Sequence, residues 1–164
     1  MSDSIGTYLN DHLAGSGAAL DLIDALKSQV EDGDFRAALE GVHGEILEDR
    51  ETLISIMERL GIAQGTVKQL GARLGEKALR FKSSEMVTDD PAFSELLRTE
   101  ALVLGIAGKE AGWAALQASQ RERLADIDFD TLIDRARTQR LRLEPFRLVA
   151  ASAALASACG VRAS

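Results

Sequence analysis

The chain has 164 residues, of which 46% are hydrophobic and 27% are charged, and this balance is typical of one globular domain spanning residues 1–164. Its two prolines and its 4% aromatic content, together with abundant alanine and leucine, favour helices over strands. The formal net charge of -7 argues against nucleic acid as a partner.

The first two predicted elements form a helical hairpin. Helix one is expected from about residue 3 to 30, where leucine and isoleucine recur at three- and four-residue steps. The acidic turn 31–34 follows, and Asp34 is a candidate N-cap for helix two. Helix two carries a heptad that Gly61 ends, and its members are Leu39, Val42, Ile46, Asp49, Leu53, Ile56 and Leu60.

A long connection and two further helices follow. Residues 66–82 are expected to form a short amphipathic helix, and Pro91 suits the first turn of helix three. The predicted core stripe of helix three is Phe93, Leu97, Glu100, Leu104, Ala107, Ala111 and Ala114. Asp128 caps the predicted helix four, in which Pro145 is expected to bend the helix or end it early. The stripe of helix four is Phe129, Leu132, Ala136, Gln139, Leu143, Phe146 and Ala150.

This order of elements predicts an all-α bundle of four long helices. The connection between helices two and three is about thirty residues long, so these two helices can run parallel. The other two links are short, which favours antiparallel neighbours. We therefore expect a four-helix bundle with one long crossover that contains a short helix.

The chain resembles the ferritin-like superfamily in this topology, over residues 3 to about 150. In the di-iron members, helices one and three each supply a carboxylate, and helices two and four each supply Glu-x-x-His. In this sequence the corresponding positions are His12 in helix one and Glu100 in helix three. In helix two they are Glu45 and Glu48 of the segment EILE, and in helix four they are Gln139 and Arg142 of the segment QRLR.

The sequence departs from that di-iron motif in three of the four helices. His12 stands where a carboxylate is expected, Glu48 stands where a histidine is expected, and helix four has neither residue type at Gln139 and Arg142. The chain is also similar to a bacterial branch of the superfamily through YLNDHLAGS near its start and LEDRETL in helix two. This resemblance implies a ferritin-like bundle with a degraded di-iron motif and lends it no particular activity.

Polar residues in the predicted core form the candidate site, and they are His12, Glu45, Asp49, Glu100, Gln139 and Arg142. A buried carboxylate is costly unless it is paired. Arginine stays charged and can donate to two carboxylates at once. We therefore predict that Arg142 reaches into the bundle and bridges Glu100 and the pair Glu45 and Asp49, with His12 and Gln139 completing the network.

Three functions are compatible with these residues. The first is a structural or interaction module without a cofactor, in which the polar network replaces a metal centre and a homodimer is the expected partner. The second is an iron- or manganese-binding oxidoreductase or storage protein with the ligands His12, Glu45, Asp49 and Glu100. The third is a bundle that binds a small ligand in a cavity opened by small residues, namely Gly15, Ser16, Gly17, Gly105 and Gly108. Trp113 is expected to pack against the crossover helix.

The sequence also bears on where the protein resides. The single cysteine, Cys159, cannot form an intramolecular disulfide, which is typical of a reducing compartment. The first residues lack the features of a secretory signal, and the longest apolar stretch, 148–159, is too short to span a bilayer. We therefore expect a cytoplasmic protein with no membrane partner.

Overall fold

Four long α-helices make up the described part of the protein. The computed structural model describes residues 4–65 and 90–156, and these ranges contain no strand. The helices are α1 (Ser4–Lys27), α2 (Gly33–Arg59), α3 (Pro91–Gln120) and α4 (Phe129–Ala156). The all-α, four-helix prediction is therefore confirmed, whereas the predicted crossover helix at 66–82 lies outside the described residues. None of the described helices is long and apolar enough to cross a membrane.

The start of α2 differs from the prediction by two residues. Asp32, and not Asp34, is the N-cap, because its side chain accepts a hydrogen bond from the backbone N–H of Phe35 at 2.8 Å. Gly33 is already helical, so Asp34 lies in the first turn. A negative charge at that position is favourable beside the positive end of the helix dipole.

The other caps follow the sequence more closely. Asp90 caps α3 with Pro91 in its first turn, and Asp128 accepts a hydrogen bond from the N–H of Thr131 at 3.0 Å. Pro145 does not end α4 early, because the helix continues to Ala156. Proline has no backbone N–H, so one carbonyl in the preceding turn loses its helical hydrogen bond. Because Pro145 is exposed, that carbonyl lies on the side of the helix that faces water.

Contacts between the helices define their directions. Between α1 and α2, Leu13 contacts Arg50 and Lys27 contacts Arg36. Between α1 and α3, His12 contacts Gly112, and Gln29, two residues after α1, contacts Arg98. In both sets of contacts, a higher residue number on α1 goes with a lower number on the other helix, so α1 is antiparallel to α2 and to α3. It follows that α2 and α3 point the same way. They lie diagonally opposite, and α4 packs against both of them.

Three buried clusters lie in the described part of the bundle, and two of them are large. One contains Leu9, Leu13, Leu53, Ile56, Met57, Trp113 and Leu116, among others, and the second contains Ile23, Leu26, Phe35, Leu39, Ile46, Leu102 and Ile106, among others. Along α2 and α3, Asp49 and Lys109 fall between the members of these clusters. The predicted stripes of α2 and α4 are buried, except that Leu60 and Phe146 are partly exposed.

The core face of α3 is not the predicted one. Glu100 and Leu104 are exposed, and the buried residues of α3 include Leu96, Leu102, Ile106, Trp113 and Leu116. Helix α3 is rich in Ala, Gly and Leu on several sides, so its sequence offers two plausible apolar stripes. Packing against α1 and α4 selects the stripe with the larger side chains.

Candidate functional site

A lysine lies at the middle of the bundle. Lys109 extends from α3, and 16% of its side chain is exposed. Its Nζ donates one hydrogen bond to Oδ2 of Asp49 on α2 and another, of 2.6 Å, to Oε1 of Gln139 on α4. Burial lowers the pKa of Lys109, and the charge of Asp49 opposes this shift. One ammonium group thus connects three helices.

Asp49 is the most deeply buried acid of this network, with 2% of its surface exposed. Besides Lys109 it faces Arg135 of α4, whose Nη1 lies 3.3 Å from Oδ1. That contact is an ion pair without hydrogen-bond geometry, and Oδ1 accepts no hydrogen bond from the described residues. Arg135 instead donates to Glu48 at the surface, at 2.8 Å. Asp49 therefore has two cations nearby, and its Oδ1 interacts with Arg135 through charge rather than through a hydrogen bond.

Gln139 extends the network toward the surface between α2 and α4. Its side chain is fully buried, and Nε2 donates to Oε2 of Glu45 at 2.9 Å. Arg142 donates from Nη1 to Oε1 of Glu45 at 3.0 Å. The side chains of Arg142 and Glu45 are 34% and 28% exposed, so this end of the network is partly hydrated.

Two of the predicted network members lie elsewhere. Glu100 is at the surface, where its Oε2 lies 3.4 Å from Nη1 of Arg147, because the core face of α3 is the one that carries Lys109. Among the described residues, Arg142 pairs with Glu45 and with neither Asp49 nor Glu100. The predicted bridge through Arg142 is therefore wrong, and Lys109 holds Asp49 in its place.

His12 lies apart from this network. Its ring makes an edge-to-face contact with Tyr8, with centroids 4.6 Å apart, and it lies over Gly112, where an added Cβ would be 2.8 Å from Cε1. Burial lowers the pKa of His12, and the charge of Asp11 partly opposes the shift. The site therefore favours the neutral imidazole. Within the described residues no hydrogen bond joins His12 to the predicted network.

A cavity of about 130 Å³ opens among α1, α2 and α3 beside the charge network. Gly15, Ser16, Gly105 and Gly108, all named in the small-ligand hypothesis, line it together with His12, Ile46, Asp49, Arg50, Leu53, Ile106, Lys109 and Trp113, among others. The indole N–H of Trp113 is buried and has no hydrogen-bond partner within the described residues. The cavity thus combines apolar walls with a few polar groups, as small-molecule sites do.

The predicted metal ligands do not form one cluster. Asp49 and His12 line the cavity, but Glu45 lies beyond Gln139, and Glu100 is at the surface. In residues 4–65 and 90–156, no group of three or more His, Cys, Asp or Glu side chains is placed to hold a metal ion. Lys109 also puts a positive charge beside Asp49. These residues do not fit a di-iron centre.

No family model, no curated protein and no solved structure matches this chain.

The residue that sequence reasoning missed is Lys109. Lys109 lies on a stripe with three- and four-residue steps, which is Leu102, Ile106, Lys109, Trp113 and Leu116. A lysine among large apolar residues at helical spacing is a signal for a buried cation. The competing stripe through Glu100 obscured that signal, because it also contains apolar residues at the same steps.

Proposed function

We propose that this chain is a ferritin-like bundle without a di-iron centre, acting as a structural or interaction module. The observation that carries the proposal is the ammonium group of Lys109, which binds Asp49 and Gln139 at the middle of the bundle. In di-iron bundles, inward-facing carboxylates hold the metal ions. Here a lysine neutralises the buried acid, and its charge disfavours a metal cation at the same place.

The helix directions support the ferritin-like assignment. Helices α2 and α3 are parallel and diagonal, and the chain between Arg59 and Pro91 is long enough to return to the starting end of the bundle. In this proposal that connection is the single crossover.

The outer face of α4 supports the interaction role. Leu141, Leu148 and Leu155 are more than half exposed and recur every seven residues, the spacing at which paired helices share a seam. A leucine face is complementary to itself, and identical faces pair in two-fold dimers. The partner in this proposal is a second copy of the chain. The proposed location is the cytoplasm, a reducing compartment, because a single cysteine cannot form an intramolecular disulfide.

Metal content tests the first half of the proposal. Protein purified without a histidine tag is analysed by elemental mass spectrometry, and its absorption spectrum is recorded after ferrous iron and oxygen are added. We expect well below one iron, manganese or zinc per chain and no new absorption band. One or two iron or manganese ions per chain, lost in Asp49→Asn, would overturn the proposal and favour the oxidoreductase or storage alternative.

Light scattering on size-exclusion eluates tests whether the protein forms a dimer through the leucine face of α4. We expect a dimer for the parent protein and a monomer for Leu148→Glu. Leu104→Glu is the matched control, because Leu104 is an equally exposed leucine on α3 and lies off the α4 seam. A monomeric parent protein, or a dimer that Leu148→Glu leaves intact, would contradict the interaction role of this face.

A further inference from the structure

We propose that the cavity among α1, α2 and α3 binds one small, uncharged and apolar ring compound, with benzene as the simplest representative. Such a site is independent of the proposed structural role, since it requires neither the absence of a metal centre nor the dimer. Three features of the cavity support it: its volume, the internal contacts of its polar lining, and the glycines at its mouth.

The volume of the cavity suits one ring. It measures about 130 Å³, and an engineered protein cavity of about 150 Å³ with apolar walls takes up benzene. The apolar side chains of the lining come from α1, α2 and α3, and they include Leu9, Ile46, Leu53, Ile106 and Leu116. A ring of this size gains dispersion contacts with those side chains when it enters. A nucleotide or a sugar phosphate is too large for the same space.

The most deeply buried charges of the lining are already paired inside the protein. Nζ of Lys109 donates hydrogen bonds to Asp49 and to Oε1 of Gln139. Asp49 is 2% exposed, and Nη1 of Arg135 lies 3.3 Å from its Oδ1, on the side of α4. These groups therefore direct their charges at one another rather than at the cavity.

Other polar groups of the lining are also engaged, or they face water. Nη1 of Arg50 donates to the carbonyl of Leu13 and to Oγ of Ser16, each at 2.6 Å. Nε1 of Trp113 is buried, so the indole contributes its carbon atoms to the wall. Asp11 is exposed, so water solvates its carboxylate.

The imidazole of His12 turns its nitrogens toward α3. A Cβ added at Gly112 would lie 3.1 Å from both Nδ1 and Nε2, so the ring edge that carries them rests against that glycine. Burial lowers the pKa of His12, which favours the neutral ring. A charged or hydroxyl-bearing ligand would give up its hydration without a compensating partner among these groups, whereas an apolar ligand has no such loss.

Glycines keep the mouth of the cavity open. Gly15 on α1 and Gly105 and Gly108 on α3 line the cavity and are exposed. A Cβ added at any of the three meets no atom within 4 Å, so close helix packing does not require glycine there. Glycine inside a helix is less stable than alanine. The small size of these residues leaves a gap between α1 and α3 through which a ring can enter.

Calorimetry with benzene, toluene and phenol at pH 7 tests the chemical class of the ligand. Toluene and phenol have nearly the same shape and differ in one hydroxyl group. We expect saturable binding of benzene and toluene, and an affinity about tenfold or more weaker for phenol, which gives up hydrogen bonds to water on entry. Absence of saturable benzene binding, or equal affinity for phenol and toluene, would overturn the proposal.

Methyl NMR on isoleucine-labelled protein locates the bound ring, because an aromatic ring shifts the resonances of methyl groups near it. Benzene should shift the signals of Ile46 and Ile106, which line the cavity, in a saturable way. Ile133 is the internal control, since it is buried on α4 outside this lining. Individual Ile→Val variants assign the signals. Saturable shifts at Ile133 that are as large as those at Ile46 and Ile106 would contradict binding in this cavity.

A pair of glycine variants tests the mouth. In Gly108→Leu the new side chain points back toward the start of α3 and covers Gly105, so benzene affinity should fall by about tenfold or more. Gly44→Leu is the matched control at an exposed helical glycine of α2 outside the lining, and it should leave the affinity unchanged. Equal benzene affinity in the two variants would contradict entry between α1 and α3. If Gly108→Leu does not fold, the methyl shifts of the parent protein still decide.

Discussion

Lys109 on α3 donates a hydrogen bond to the carboxylate of Asp49 on α2, although these two helices lie diagonally opposite in the bundle. The bond is possible because a lysine side chain is long enough to cross the centre of a four-helix bundle. Asp49 is almost fully buried, so its negative charge is neutralised within the protein rather than by water. A pair of this kind is costly to break from one side only, since the remaining charge stays buried.

Lys109→Met should therefore destabilise the protein strongly. We expect the free energy of unfolding at pH 7 to fall by about 3–5 kcal/mol, measured by urea denaturation, because Asp49 is left without its closest cation.

The double variant Lys109→Met with Asp49→Leu is the control for that measurement. Removing both charges should restore most of the lost stability, because an apolar pair can replace a buried ion pair at little cost. A double variant as unstable as Lys109→Met alone would show that the lysine contributes through its packing rather than its charge.

Arg142→Met should have a much smaller effect. Arg142 and Glu45 are each about one third exposed, and ion pairs of that kind contribute about 0–1 kcal/mol. We expect a loss in that range at pH 7 by the same denaturation assay. A loss comparable to that of Lys109→Met would mean that Arg142 supports the buried part of the network through Glu45 and Gln139.

The pH dependence of stability should include a contribution from His12. Burial lowers the pKa of His12 in the folded protein below its ordinary value of 6.5, so the unfolded chain binds a proton first as the pH falls. The free energy of unfolding should therefore decrease as the pH falls from about 6.5 toward that lower pKa.

His12→Gln isolates this contribution, because glutamine does not titrate in this range and His43 is present in both proteins. Urea denaturation between pH 8 and pH 5 should give a shallower decrease for the variant than for the parent protein. Parallel curves would indicate that the imidazole of His12 is as well solvated in the folded protein as in the unfolded chain.

Alanine at two glycines of α3 should have opposite effects. A Cβ at Gly112 would lie 2.8 Å from Cε1 of His12, so Gly112→Ala should cost about 1–3 kcal/mol. A Cβ at Gly105 meets no atom within 4 Å, so Gly105→Ala should stabilise the helix by about 0.5–1 kcal/mol. Thermal and urea denaturation measure both.

The combination of His12→Ala with Gly112→Ala tests the cause of that cost. If the imidazole is the obstacle, the cost of Gly112→Ala should disappear once the ring is removed, and a double-mutant cycle gives the coupling between the two positions. Independent, additive effects would place the strain elsewhere in α3.

Much of the site could be predicted from single helices. The stripes of α2 and α4 place Asp49 and Gln139 in the core, and the structure buries both. The stripe of α3 misleads, because Glu100 and Lys109 each lie on a line of apolar residues at helical spacing. Periodicity measures only how amphipathic a helix is. Where small apolar residues cover several sides of a helix, it does not identify the buried side.

The sequence by itself determined that residues 4–65 and 90–156 form four helices, and it placed the starts of three of them to within one or two residues. It also determined which faces of α2 and α4 are buried. These properties depend on capping groups and on the periodicity of side chains within one helix, which are local. Only the tertiary structure decided that Lys109 rather than Arg142 holds Asp49, and that a cavity opens among α1, α2 and α3. Those outcomes depend on the rotation of each helix about its own axis, and that rotation is set by the packing of all four helices together.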